Sequence, residues 1–352
     1  MTALAALLGV LFGCEVVYTQ DCVPPPPGVS GCLDTGVADS TAHDDSAQSM
    51  TETGTDDTGW PAGDWVAALQ HKGLTFDTIQ DAIADASDGD TVLVSPGTHL
   101  ELIDFHGKAV HVRSTHGPLA TVLDGGGTDS VVQIRALEPD TAILEGFTIT
   151  GGKGHQGHGG GVFVENADPV IRHNVFVDNV ASVGGGVYLR HGYATVTNNL
   201  FIGNEGGDGG AGIGCTNCKG RIAYNTFVDN VGNVGTVFEY YYEPQADLVG
   251  NLIVLPDDVP YVVRYWEPLG YTFESSHNLV WPEVPWVAPD APEWPDGGTL
   301  HGPPEFVDQG GGDYRLAADS PAVDAGPAGD TDPDGSPADL GAYGGPDGDW
   351  ER

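Results

Sequence analysis

Asp330, Asp332 and Asp334, followed by Gly335, are the residues in this chain best spaced for chemistry. Alternate carboxylates turned inward by a glycine bend gather oxygen ligands in the first half of a calcium loop. The twelfth position of such a loop is Gly341 here, so Asp339 or Asp324 would have to complete a different cage. Calcium is the cofactor this spacing suggests, and the plainer reading is a polar turn with solvated carboxylates. His155 and His158 have a spacing that metals use, but no carboxylate or third His adjoins them, which favours a loop over a metal site. Cys215 and Cys218 form a C-x-x-C pair with no second pair to complete a zinc site, so a disulfide stapling a loop is expected. Asp178 and Asp229 sit at equivalent positions of a repeat, with Gly203 between them. Stacked strands would place them about 9.6 Å apart, and a glycosidase needs two carboxylates at a defined separation. Both fall on the turn side of their strands, where a surface Asp is the ordinary reading.

The elements that must position these residues are repeats. DPVIRHNVFVDN (168–179), YATVTNNLFIGN (193–204), KGRIAYNTFVDN (219–230), QADLVGNLIV (245–254) and TFESSHNLVW (272–281) align, with Asn174, Asn199, Asn225, Asn251 and Asn278 spaced by 25, 26, 26 and 27 residues. A second row runs in step: GGGVFVE (159–165), GGGVYLR (184–190), GAGIGC (210–215) and GTVFEY (235–240). The runs are three to five residues long with alternating apolar positions, too short for helices and right for strands. Coils stacked about 4.8 Å apart would bring like residues above one another. The five Asn are therefore expected to form a structural ladder, each amide bonding its copies above and below. Before the repeats, Asp77 and Gln80 form a capping-box pattern, and Ile79, Ala82, Ile83 and Ala86 share one helical face. That face would cap the open first coil.

These rows resemble the right-handed parallel β-helix of the pectin-lyase-like superfamily, and TIQDAIADASDGDTVLVSPGTH (78–99) resembles its N-terminal segment. The resemblance covers most of residues 74–345. It implies an all-β, single-stranded right-handed parallel β-helix of about eight coils with a short N-terminal capping helix. It further implies that substrate lies along the sheet carrying the GGGVFVE rows. Alternation there is read as turning Val162 and Val164 inward and leaving Phe163, Glu165, Tyr188, Arg190, Phe238, Tyr240, Arg264 and Trp266 outward. Phe163, Glu165, Tyr188, Arg190, Phe238, Tyr240 and Trp266 are the expected ligand contacts, since rings stack on sugar faces while charged groups fix hydroxyls or uronates. The competing expectation is that loops, such as 281–304, pack over these rings. A lyase would need a base beside a cation, for which Arg190 or Arg264 with Glu165 are the candidates. The dense Asp cluster of the superfamily's enzymes is missing, which favours a binding or structural module over an enzyme. FVDQGGGDYRLAADSPAVDAG and DTDPDGSPADLGAYGG, within 306–345, resemble the choice-of-anchor Q pattern of exported, surface-attached β-helix proteins.

Composition sets the remaining bounds. With 12 Lys+Arg against 51 Asp+Glu among 352 residues, the net charge is -39. Such a surface repels nucleic acid and anionic headgroups. The apolar run 1–13 is too short to span a bilayer, and Leu11-Phe12-Gly13-Cys14 resembles a lipobox, which implies acylation of Cys14. No Lys or Arg precedes that run, a departure that a start codon further upstream would explain. Cys22 and Cys32 are expected to pair, as disulfides do outside the cytoplasm. The resulting organisation is a lipoprotein-type signal (1–14), an acidic Pro/Asp/Thr/Ser-rich stalk (15–70), the β-helix (71–305) and an anchor-type or capping segment with the Asp-rich loop (306–352). The expected protein is a monomeric, lipid-anchored module of the bacterial cell envelope. It binds polysaccharide or surface glycan, meets the membrane only through its anchor, and has a polysaccharide lyase or glycoside hydrolase as the alternative.

Overall fold

The computed structural model describes residues 65–232, 237–241, 245–257, 259–265, 274–287, 297–348 and 350. Cys14, Cys22, Cys32, Trp266 and most of the expected stalk lie outside the described residues.

Alternating apolar runs separated by Gly and Asn produce three long sheets of ten, nine and seven strands, here A, B and C. The chain visits A, B and C in turn. In one coil these are Tyr193–Thr197, Leu200–Ile202 and Ile213–Thr216. Each strand pairs in parallel with its counterpart one coil away, and residues of like position fall in register, as in Tyr193 beside Lys219 and Lys219 beside Gln245. The result is the expected right-handed parallel β-helix. Seven coils carry all three walls, from 91–104 (coil 1) to 245–265 (coil 7), and Ser275–Ser276 with Leu279–Trp281 form a partial eighth.

The inside is filled by side chains repeating in columns. Phe176, Phe201 and Phe227 stack with centroids 4.7 and 4.6 Å apart and planes within 13°. The Asn ladder forms as its spacing predicts. Asn174, Asn199, Asn225 and Asn251 each donate Nδ2–H to Oδ1 of the next Asn, at 3.1, 3.0, 3.1 and 3.1 Å, ending on Asn278. The backbone N–H of each donates to the same oxygen. A second ladder, Asn179–Asn204–Asn230, uses the other Asn of the NxxxxN pattern. Asp178, Gly203 and Asp229 precede these Asn with φ of 54°, 59° and 53°. The two Asp therefore occupy tight left-handed corners, in keeping with the turn reading.

Both ends of the stack depart from the expected boundaries. The folded unit begins by Trp65, inside the segment assigned to the stalk. Ala67–Leu69 is fully buried and pairs antiparallel with Leu74–Phe76 and with the first strand of sheet A. The capping helix Ile79–Asp85 buries Ile79, Ala82 and Ile83 as predicted, but its N-cap is Thr78, whose hydroxyl accepts from Asp81 N at 3.0 Å, rather than Asp77. Gln80 instead reaches the open coil, donating Nε2–H to Asp104 O and accepting from Asp104 N at 3.1 and 2.7 Å, as another strand would. Glu101 accepts from the free N–H groups of Ile79 and Gln80, and Lys108 donates to the carbonyls of Ile83, Ala84 and Ala86. Both helix ends are thereby satisfied.

At the other end, residues 303–348 and Trp350 follow the last coil. They run back along the outside of sheet B. Ala322 and Leu340 are buried against Val228, Leu252, Val254 and Leu279, and Ala342 and Trp350 against Leu200. Hydrogen bonds fasten this strap coil by coil: Gly341 N to Gly250 O (2.8 Å), Ala342 N to Thr226 Oγ1 (2.9 Å), Asn198 Nδ2 to Ala342 O (3.1 Å), and the His173 ring with Asp347 O (2.7 Å).

Candidate functional site

A β-helix offers its three outer walls to a ligand, and two of them are largely covered. Sheet B lies under the strap. Sheet C, which carries the GGGVFVE rows, lies under its own glycine turns. Gly159 and Gly184 take φ of 63° and 70° and fold the preceding segments back over the sheet. The His155 ring then sits 5.2 Å from Phe163 and the His158 ring 4.6 Å from Tyr188, so Phe163 and Tyr188 are only 5% and 6% exposed. Burial also pushes the pKa of His158 below the usual histidine value. His155 is held by Asp129 at 3.1 Å and by Ser130 Oγ, which accepts its N–H at 2.8 Å.

Phe238 and Tyr240 require a correction. Ile213 pairs with Phe238 and Cys215 with Tyr240, so both rings point inward and join the core at 1% exposure. The outward residue between them is Glu239, fully buried beside Gly209 and Gly210 and in register with Arg264. A slip of one residue exchanges the two faces of a strand, and the aromatic types of 238 and 240 had suggested the outer face. Glu165 and Arg190 are neighbours in register and pair with each other at 3.1 Å. Arg264 lies further along, donating Nη1–H to Asp208 O. The structure thus joins Glu165 to Arg190 but leaves Arg264 apart from them, and the two buried rings do not form a stacking platform.

The Asp-rich loop belongs to the strap. Asp330 accepts from Tyr224 Oη at 2.6 Å, Asp332 from the N–H groups of Asp339 and Gly345, Asp334 from Ser336, and Asp339 from Asp324 N. Asp330 alone reaches outside the strap, to Tyr224 and Arg221, and the other bonds tie the loop to itself. Among the described residues no group of three or more His, Cys, Asp or Glu is arranged around a metal-sized space. Burial raises the pKa of Asp332 and Asp339, with neighbouring carboxylates adding to it. Cys215 and Cys218 are joined by a disulfide, both 1% exposed, at the corner between sheets C and A.

The most open wall is sheet A, which the strap covers only at its later coils, where Ala338 packs on Ala223, Tyr224 and Val249. Glu145, on its coil 3, meets the His111 ring at 2.9 Å and Arg172 Nε and Nη2 at 2.9 and 2.8 Å. Burial alone would raise this carboxyl, but hydrogen bonds from His111 and His173 and the Arg172 charge hold it well below the usual carboxylate range. Along the edge where sheet C turns into sheet A runs a cleft of about 600 Å³. Leu137, Asn166, His191 and Asn217 repeat at this corner in four successive coils, with left-handed φ of 69°, 53°, 52° and 48°. Beside them Tyr193, Lys219 and Gln245 stand in one row. Tyr193 is 59% exposed, with its backbone N–H held by Asp168 Oδ1 at 2.7 Å. Lys219 Nζ lies 5.2 Å from the ring centroid and donates to Tyr193 Oη at 3.3 Å. The cleft offers an exposed ring, a cation, a histidine and three separate amides (Asn166, Asn217 and Gln245) spread over successive coils, a set suited to binding a chain-like polar ligand. None of these residues was singled out by sequence reading. The signal was present, because aligning YATVTNN with KGRIAYN puts Tyr193 and Lys219 in one outward row.

Residues 105–253 match a family described as "Protein of unknown function (DUF1565)". No curated protein matches the chain. Among solved structures, a mutant pectin methylesterase in complex with a hexasaccharide is similar at 14% identity, covering 58% of this chain and 75% of that one, with a TM-score of 0.31.

Proposed function

We propose that this protein is a surface glycan-binding module that holds an extended saccharide along the corner cleft between sheets C and A. The observation that carries the reading is Tyr193, a ring 59% exposed in a cleft otherwise lined by amides, His191, Lys219, Asp168 and Leu137. An aromatic face covers the apolar side of a pyranose, while amides and an ammonium satisfy its hydroxyls. Each coil, about 4.8 Å on from the last, adds a different polar group to the cleft, which favours an elongated ligand over a single sugar. Binding rather than turnover is favoured because Glu165 and Arg190 pair with each other while Arg264, the other base candidate, lies apart from them. In calorimetric titrations against a panel of neutral and acidic polysaccharides, at least one should bind. Tyr193→Ala should weaken it by about tenfold, near 1.4 kcal/mol, without moving the melting temperature. An unchanged affinity in that variant, or release of unsaturated or reducing sugar ends by the wild type, would sink the reading.

The lipobox-like junction supports presentation of this module from a membrane. Cys14→Ser should move the expressed protein from the membrane fraction to the soluble one. Equal partition of both forms would remove the anchor from the proposal.

A further inference from the structure

A second cleft, of about 480 Å³, opens at the far edge of sheet B, where the last coils turn away from that sheet. Successive turns build it. Asp229 follows Thr226–Val228, Asp257 comes after Leu252–Val254, Trp281 ends its own strand, and Glu305 lies beyond Leu300–His301. Backbone bonds from Asp229 N to Val254 O (3.2 Å) and from Leu255 N to Trp281 O (2.7 Å) keep these turns in step. Trp281 is 39% exposed, and Phe306, three prolines, Val254, Leu255 and Gln309 complete the wall.

The charge of this aromatic cleft is one-sided. It is lined by three carboxylates and by no Lys, Arg or His. Among the described residues, none of the three lies within ion-pair distance of a basic group. Nearby, burial and then the Asp229 charge raise the pKa of the Tyr314 phenol. The carboxylates are not gathered closely enough to hold one metal ion. A neutral sugar would leave their charge uncompensated.

We propose that this cleft binds a quaternary ammonium cation, held over the Trp281 ring and balanced by Asp257 and Glu305, with Asp229 adding a longer-range attraction. Asp257 and Glu305 follow the strands one coil before and one coil after that of Trp281, each coil about 4.8 Å on from the last. The diffuse charge of such a cation is attracted to an indole face, and little hydration is lost on contact. The net charge of -39 adds a long-range attraction.

The test is a ligand-detected NMR titration of the full chain with choline, with its uncharged tert-butyl isostere, and with calcium chloride as competitor. Choline should bind saturably and the isostere at least about tenfold more weakly. Trp281→Ala should weaken choline by about tenfold and Asp257→Asn by several-fold, while Tyr193→Ala leaves it unchanged. Asp257 is exposed, so its variant reports on binding even if Trp281→Ala disturbs the fold. Failure of choline to saturate, equal binding of the isostere, or displacement of choline by one equivalent of calcium would each overturn the assignment.

Discussion

Asn225→Ala is expected to cost about 3–5 kcal/mol, although it removes one small polar side chain from the interior. Asn225 Oδ1 accepts from both the backbone N–H and the Nδ2 of Asn199, each at 3.0 Å. Its Nδ2 donates to Val196 O, Ala223 O and Asn251 Oδ1 at 2.9, 3.1 and 3.1 Å. Alanine would strand two donors on one side and carbonyl oxygens on the other, all in a site with no solvent exposure. A buried polar group deprived of its partner costs about 1–3 kcal/mol, and the losses fall in adjacent rungs. Urea unfolding monitored by circular dichroism would measure this. A shift below about 1 kcal/mol would mean that water enters the corner and that the ladder holds the coils less firmly than its geometry suggests.

Ending the chain at residue 302 is expected to have a still larger effect. The strap covers Leu200, Val228, Leu252, Val254 and Leu279 on the outer face of sheet B. Uncovering about five such side chains, at about 1.5–3 kcal/mol each, forfeits on the order of 10 kcal/mol. It also leaves an apolar patch of the kind that drives association. The truncated protein should melt well below the full chain in scanning calorimetry and elute as oligomers in size-exclusion chromatography. A monomer with the parent melting temperature would show the strap to be dispensable for folding.

The fold was legible because a β-helix writes each coil in register with the last. The spacing of Asn174 through Asn278 located the ladder, and the inward alternation of Val162, Val187 and Ile213 located a core wall. Where the signals conflicted, residue type misled. Phe238 and Tyr240 look like a binding surface, yet their row with Ile213 and Cys215 puts them inside. The direction of the turns at Gly159 and Gly184 was not legible, because glycine permits a positive φ without saying what the segment before it will cover. The strap was hidden for a related reason. Its Asp-rich loop has the composition of a cation site, and only contacts more than a hundred residues away in sequence, such as Tyr224 with Asp330, reveal a clasp. Tyr193 and Lys219 stood in a readable row but belong to an outer wall to which the family resemblance assigned no role.

The strap also acts as a ruler. It is fastened at Gly250, Thr226, Asn198 and His173, one point on each of four successive coils. Inserting or deleting a whole coil would preserve the pairing pattern of a solenoid, since each coil recognises only its neighbours. Between Val170 and Val249 such a change would throw the strap out of step by one rung, about 4.8 Å. Among the described residues no hydrogen bond ties the strap to the first two coils in this way. Relatives built on this plan are therefore free to vary in length at the N-terminal end, while the four coils under the strap, and with them most of the Tyr193 cleft, are held to a fixed count.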